Sequence, residues 1–94
     1  MESGLITNWY NLDSGICGWE ATYNDDINYF HVNIEFDPDE KVYTVSIVED
    51  EFQAVFETTN DYKRIYSIVA SVTWDNIIPP TEDEFQDYCK DKNE

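Results

Sequence analysis

A chain of 94 residues is long enough for one domain with a single modest core, and too short to add a large active-site cleft. It carries 21 aspartates and glutamates against 5 lysines and arginines, a net charge of -16 that excludes nucleic acid phosphates and anionic membranes as direct partners. With 41% hydrophobic and 16% aromatic residues it is too apolar for a disordered acidic tail, so we predict that residues 1–94 form a single acidic globular domain.

The two ends of the chain bear on its location and redox state. No basic segment follows Met1, and no apolar run approaches about 18 residues. We therefore expect no signal peptide, no membrane span and a cytoplasmic location, in a bacterial host cell if a phage encodes the protein. Cys17 and Cys89 have no CxxC spacing, and two reduced thiols are the favoured interpretation. A disulfide that ties the two ends together is the alternative.

The N-terminal quarter contains one irregular segment and one strand. The first fifteen residues mix Trp9, Tyr10 and Leu12 with Asn and Ser, which predicts a loosely regular arm packed by its aromatic rings. Residues 16–23, ICGWEATY, have the composition of a strand. The NDD sequence at 24–26 is typical of a turn.

The middle of the chain has the clearest strand pattern. Apolar and polar residues alternate over residues 29–36, which predicts a strand buried on one face. DPDEK at 37–41 predicts a turn, because proline fixes φ and aspartate caps turns with its side chain. A second alternating strand then precedes EDE at 49–51, and FQAVFE at 52–57 completes an antiparallel meander.

Residues 60–75, NDYKRIYSIVASVTWD, fit both a helix and a strand. As a helix they place Ile65, Val69 and Val72 on one apolar stripe, whereas as a strand they have an apolar face that includes Trp74. The many β-branched residues favour the strand. We favour the helix, with a cap at Asn60, because one face of the sheet needs a cover.

A final helix is predicted from about Glu82 to Asp91. Thr81 and Glu84 have the spacing of a capping box, and Phe85, Tyr88 and Cys89 would dock the helix on the domain. The predicted fold is therefore α+β: a small antiparallel β-sheet of three to five strands in a meander, covered by one or two helices, the last one C-terminal.

The acidic residues fit neither a metal site nor a cofactor site. Zinc usually needs four cysteine or histidine ligands, and this chain has one histidine and two distant cysteines. The acidic turns lack the order of an EF-hand loop, which needs Gly at its sixth and Glu at its twelfth position. We predict no metal and no cofactor.

Catalysis is also disfavoured. His31 is the only histidine, and a lone strand histidine is typically a partly exposed surface residue. A carboxylate pair for glycoside hydrolysis needs a sugar-sized cleft and one acid in an apolar pocket, whereas these acids cluster at turns. We therefore predict no catalytic residues and no enzymatic activity.

The charge pattern favours imitation of nucleic acid. Residues two apart on a strand lie about 6.6 Å apart, close to the step between neighbouring phosphates, so Glu35, Asp37 and Asp39 could present a row of charges. Acids in the other turns and on the final helix could extend this row. The partner would be a basic nucleic-acid-binding protein or a nuclease, and an exposed tyrosine could add affinity. The predicted partner-binding residues are Asp25, Asp26, Glu35, Asp37, Asp39, Glu40, Glu49, Asp50, Glu51, Asp83, Glu84, Asp87 and Tyr29.

In size, charge and aromatic content the chain resembles small acidic inhibitors encoded by phages and mobile elements, such as DNA-mimic anti-restriction and anti-CRISPR proteins. It also resembles immunity proteins that neutralise nuclease toxins. The resemblance implies a non-enzymatic inhibitor that occupies the nucleic-acid site of a host defence protein or nuclease. The alternative is an immunity or adaptor protein that binds its partner through an aromatic and acidic surface without competing with nucleic acid. A solvated acidic surface and adaptation to high salt are the remaining explanations of the charge.

Overall fold

A computed structural model describes residues 4–12, 15–25, 27–50 and 52–92, with the main chain alone at Gln53, Asp91 and Lys92. Five strands and two helices follow one another along the chain: β1 (Gly4–Asn11), β2 (Cys17–Asn24), β3 (Tyr29–Asp37), β4 (Val42–Glu49), β5 (Phe52–Thr59), α1 (Tyr62–Val72) and α2 (Glu82–Lys92). The strands form one antiparallel sheet in the order β1-β2-β3-β4-β5. The predicted α+β meander is confirmed, with five strands, two helices and the last helix C-terminal.

Both helices lie on one face of the sheet, and the core lies between the two layers. Strand alternation sets this core: Phe30, Val32 and Ile34 are buried, and the residues between them are only partly buried. α1 packs against β4 and β5, while α2 packs against β2. The opposite side of the sheet, called the open face below, has no helix over it.

The prediction of an irregular N-terminal arm is wrong, because residues 4–11 form β1, an edge strand paired with β2. Its helix-facing Trp9 stacks on Tyr88 with ring centroids 4.6 Å apart and meets the edge of Phe85 at 5.2 Å. The rest of β1 is largely exposed, so its sequence lacks the alternation that burial imposes elsewhere.

Residues 60–75 form a helix over Tyr62–Val72, as favoured, with Ile65 and Val69 buried. The cap prediction is wrong by one residue, because Asp61, and not Asn60, accepts the amide of Lys63 at 3.1 Å. Both residue types cap helices well, so composition could not separate these neighbours. The helix ends at Thr73, and Trp74 and Asp75 follow with φ of 53° and 60°.

α2 begins with the predicted capping box. The Glu84 amide donates to the Thr81 hydroxyl at 3.2 Å, and the Thr81 amide donates to the Glu84 carboxylate at 3.3 Å. Phe85 and Cys89 are buried and Tyr88 is partly buried, so the predicted docking face is the one that packs on the sheet.

The preference for reduced thiols is wrong in this structure: Cys17 of β2 and Cys89 of α2 form a disulfide with Cα atoms 5.6 Å apart. Both residues are buried. Their distance along the chain concealed this contact, which exists because α2 folds back under the second strand. No helix within the described ranges is long and apolar enough to cross a bilayer.

Candidate partner-binding surfaces

Antiparallel pairing sorts the predicted acids to two opposite ends of the sheet. Asp25 follows β2 at the same end of the sheet as Glu49 and Asp50. Asn24 pairs with Tyr29, Phe30 pairs with Glu49, and the Asp50 amide donates to the Tyr29 carbonyl at 3.2 Å. We call this the Asp25 end. The β3–β4 turn, residues 37–41, lies at the other end, called the Asp37 end. Strands of eight residues separate the two ends by about 26 Å.

The Asp37 end also adjoins the final helix. A shallow cavity of about 430 Å³ lies between Phe36 and Pro38 on one side and Gln86, Asp87 and Lys90 of α2 on the other. The structure therefore places Asp87 beside the β3–β4 turn, whose Pro38 lines the same depression. It does not join them to Asp25 or Asp50, which lie at the Asp25 end.

Three of the predicted acids are engaged in local structure. Asp25 Oδ1 accepts the amides of Ile27 at 2.7 Å and Asn28 at 2.6 Å, and Oδ2 accepts the Tyr23 hydroxyl at 2.8 Å. These hydrogen bonds lower the pKa of the Asp25 carboxyl, and those from the Asn28 and Ile27 amides have the largest effect. Glu84 closes the α2 capping box. Such carboxylates stabilise turns and helix ends, and this limits their freedom to meet a partner.

The proposed row of Glu35, Asp37 and Asp39 is not formed. Asp37 turns its carboxylate back on its own turn, where Oδ1 accepts the amides of Asp39 at 2.9 Å and Glu40 at 3.3 Å. Asp37 is thus the third acid engaged in local structure. Of the three acids of the row, Glu35 is the one that presents its carboxylate on the open face, as the strand pattern predicted.

Most of the other predicted acids within the described ranges make no ion pair. Among the described residues one ion pair forms, between Glu57 and Arg64, whose guanidinium also donates through Nη2 at 2.9 Å. Asp26 and Glu51 lie outside the described residues. The predicted acids that are exposed and engage no described side chain are Asp39, Glu40, Glu49, Asp50, Asp83 and Asp87.

The open face has a polar centre without a Lys or Arg among its described residues. Tyr10 lies across Gly18, and its hydroxyl oxygen is 2.6 Å from Glu35 Oε2 and 2.5 Å from Asn33 Oδ1, so its single proton is shared between these two acceptors. A Cβ at Gly18 would stand 2.3 Å from Tyr10 Cζ, so glycine is what admits the ring there. Burial and the neighbouring Glu35 raise the pKa of Tyr10 well above its usual range. Glu20 lies on the same face and adds a second carboxylate.

A recess of about 220 Å³ opens in this face between β3 and β5. It is lined by His31, Asn33, Glu35, Thr44, Ser46 and Phe56. His31 is held by a 2.9 Å hydrogen bond between Nδ1 and the Thr22 hydroxyl. Tyr29, the predicted aromatic contact, lies on this face at its Asp25 end and is partly buried.

Exposed apolar side chains were missed by the sequence analysis. Phe56 is 66% exposed on one edge of the open face, Ile6 is 71% exposed on the other, and Trp74 is 72% exposed after α1. The sequence places Phe52 and Phe56 on one face of a regular strand, but an irregularity in the pairing at Ile47 and Val48 puts them on opposite faces. No sequence signal marks such a bulge.

A larger groove of about 660 Å³ runs between β5 and α1. Val55, Ile68 and Val72 give it an apolar floor, and the Glu57–Arg64 pair lies among its lining. Its charges are therefore largely neutralised, unlike those of the open face. Within the described ranges no three His, Cys, Asp or Glu residues gather closely enough to hold a metal ion.

No protein-family model, curated protein or solved structure matches the chain.

Proposed function

We propose that this protein is a non-enzymatic inhibitor that imitates the charge of nucleic acid and occupies the basic nucleic-acid-binding surface of a nuclease or host defence protein, as anti-CRISPR or anti-restriction proteins do. The observation that carries the proposal is the unpaired charge. The net charge is -16, and one ion pair forms among the described residues. Solubility needs only a net charge of about 2 to 8 on a small domain, so the excess calls for another role.

The linear density of charge supports this proposal. A B-form duplex carries one negative charge per about 1.7 Å of its axis, or about 25 over the 42 Å length of this protein. The chain has 21 aspartates and glutamates, of which 16 lie among the described residues. A surface that binds phosphates would therefore meet a density of carboxylates of the same order.

The supporting geometry is a spread of acids over both ends of the sheet with two more between them. Asp39 and Glu40 are exposed at the Asp37 end, and Glu49 and Asp50 at the Asp25 end. The open face between the ends carries Glu20 and Glu35. A basic groove that binds a duplex at several phosphates would thus find carboxylates along its length.

The test is competition. Affinity capture from a bacterial lysate identifies binding partners, and each partner is then titrated with this protein in the presence of a labelled duplex. We expect displacement of the duplex at saturation. A partner that keeps its full affinity for nucleic acid when saturated with this protein would rule the proposal out.

Charge reversal locates the contact. Asp39→Lys with Glu40→Lys removes two exposed carboxylates that stabilise no turn, and we expect it to weaken binding and to reduce its salt dependence. Asp37 is left unchanged because its carboxylate caps the turn. The matched comparison is Glu49→Lys with Asp50→Lys at the Asp25 end. Equal, small effects of both pairs would contradict binding through either end.

The second candidate is an immunity or adaptor protein that binds without competing with nucleic acid. It is favoured by the exposed Phe56, Ile6 and Trp74, since aromatic side chains are common anchors of protein interfaces. The same competition experiment separates the two, because this candidate leaves the duplex bound while it binds the partner.

A further inference from the structure

The recess on the open face has the size of a site for one side chain. Pockets for small molecules occupy about 300–1,000 Å³, whereas this recess measures about 220 Å³. It is therefore too small for a cofactor, and it lies at the centre of a sheet face that no element of the described chain covers.

We propose that this recess receives an arginine side chain of a basic protein partner, and that the open face is the docking surface around it. The proposal rests on the proposed function in one respect, which is that the partner is basic. The recess itself is argued from its own lining.

Glu35 is an unneutralised carboxylate in a fixed position. Tyr10 binds Glu35 Oε2 and Asn33 together, which holds the Glu35 side chain in place. Among the described residues nothing donates to Glu35 Oε1, and no cation pairs with Glu35. A carboxylate with one oxygen held and the other free is prepared to accept a charged donor.

The aromatic ring of Phe56 lies on the far side of the recess. Phe56 is 66% exposed and pairs with Ser46, next to the pair formed by Glu35 and Thr44. A guanidinium can stack on such a ring while its N–H groups reach a carboxylate and hydroxyls, whereas an ammonium has neither a flat face nor a fork of donors. The lining therefore favours arginine over lysine.

The net charge favours a basic partner over a second copy of the chain. Two copies would each bring a charge of -16 to the contact and would repel at close range. A basic protein, in contrast, is attracted by the same negative charge. Ile6 and Phe56, exposed at opposite edges of the face, would supply apolar contacts around the central charge.

The experiment is an NMR titration of the 15N-labelled protein with a blocked arginine, N-acetyl-arginine methylamide, and then with hexa-arginine and hexa-lysine peptides. We expect saturable shifts of the Asn33, Ser46 and Phe56 amides, and tighter binding of the arginine peptide than of the lysine peptide. Shifts that are equal over both ends of the sheet, or equal affinity for the two peptides, would overturn the proposal.

The variants are Glu35→Gln and Phe56→Ala, with Asp75→Asn as the matched loss of one charge. Asp75 is exposed beyond α1 and has positive φ, which asparagine tolerates as well. We expect Glu35→Gln to weaken hexa-arginine binding about tenfold or more, Phe56→Ala several-fold, and Asp75→Asn less than about twofold. Equal losses for Glu35→Gln and Asp75→Asn, with both proteins folded by their amide spectra, would contradict the site.

The outcome is separable from that of the proposed function. A partner that loses nucleic acid to this protein but binds the Glu35→Gln and Phe56→Ala variants normally would refute the recess and leave the inhibitor proposal standing. A partner that needs both side chains but keeps its nucleic acid would confirm the recess and refute imitation of nucleic acid.

Discussion

At the residue scale, the contact between Tyr10 and Gly18 shows how one missing side chain shapes a surface. The Tyr10 ring occupies the space where any other residue at position 18 would place its Cβ. From there its hydroxyl reaches Asn33 and Glu35, two strands away. The position of the Glu35 carboxylate on the open face thus depends on Gly18, which has no side chain of its own.

Gly18→Ala should displace the Tyr10 ring and so remove its hydrogen bonds. We expect a loss of about 1 kcal/mol of unfolding free energy, the value of a typical hydrogen bond, measured by urea denaturation. Gly4→Ala is the control, because its Cβ would meet only a carbonyl at 3.6 Å. In a Tyr10→Ala background the Gly18→Ala loss should vanish, and persistence of the full loss there would contradict the steric explanation.

Tyr43 links stability to alkaline pH. Its ring is buried, and its hydroxyl donates to Glu82 at 3.1 Å and accepts from Gln86 at 2.5 Å. Burial, with the nearby Glu82 carboxylate, raises the pKa of Tyr43 to about 12. The unfolded chain ionises this tyrosine near pH 10, while the folded chain keeps it neutral to about pH 12. Its contribution to stability is therefore complete below pH 10 and is lost as the pH rises through this window.

We expect the unfolding free energy to fall above pH 10, by at most about 1.4 kcal/mol per pH unit for one such group. The measurement is urea denaturation at a series of pH values. Tyr43→Phe should give a less steep fall over the same window, because the variant lacks the Tyr43 hydroxyl, while Tyr10 and Tyr62, whose pKa values are also raised, are present in both proteins. Identical slopes for the two proteins would contradict the assignment.

At the scale of elements, the final helix α2 is attached to the sheet through few contacts. α2 is held to the sheet by Phe85, by the stacking of Tyr88 on Trp9 and by the Cys17–Cys89 disulfide. The Tyr88 hydroxyl also donates to Asn11 at 2.7 Å. The helix thereby covers strands from both the edge and the interior of the sheet, and the Asp37 end depends on it for its cavity.

Reduction of the disulfide should destabilise the protein. The bond closes a loop of 72 residues, for which the chain-entropy model gives about 4 kcal/mol and measured values for disulfides are typically about 2–4. Urea denaturation with and without dithiothreitol measures the loss. A Cys17→Ala, Cys89→Ala variant is the control and should not respond to the reductant.

A thiol assay of the unfolded, unreduced protein decides whether the bond exists in the purified chain. Two reactive thiols per chain would contradict the disulfide. The assay also bears on the proposed cytoplasmic location, because disulfides persist in oxidising compartments and are rare in the cytosol of most organisms.

At the scale of the whole molecule, the unbalanced charge opposes folding. The protein measures 42 × 22 × 21 Å, so many of its carboxylates lie within a few Debye lengths of one another at moderate salt. Their mutual repulsion raises the free energy of the folded state. Such a loss of stability is expected when the carboxylates are retained because they bind a partner.

Added salt should therefore stabilise the protein. Raising sodium chloride from about 0.05 to 1 M shortens the Debye length from above 10 Å to about 3 Å. If screening recovers about 1 kcal/mol, the melting temperature rises by about 4–8 °C for a domain of this size. Asp39→Asn with Glu40→Asn is the control and should show a smaller rise. A melting temperature that is unchanged or lower in salt would contradict the dominance of repulsion.

Local patterns determined much of the fold. The alternation over residues 29–36 and the Thr81–Glu84 capping box each express an interaction between near neighbours, so they could be recognised without knowing the rest of the structure. The helix over residues 60–75 needed a further argument, the cover of the sheet. The choice between Asn60 and Asp61 as its cap was decided by geometry that composition does not contain.

The sequence by itself determined a folded, acidic α+β meander with charged turns. Only the tertiary structure decided that residues 4–11 form a strand, that Cys17 meets Cys89, and which acids cap turns and which remain free. It also decided that Glu35 and Phe56 line one recess. The strand pairing, the disulfide and the recess depend on contacts between residues far apart in the chain, and such contacts leave no periodic pattern within either segment. The turn caps are local contacts, but they depend on side-chain geometry that composition does not contain.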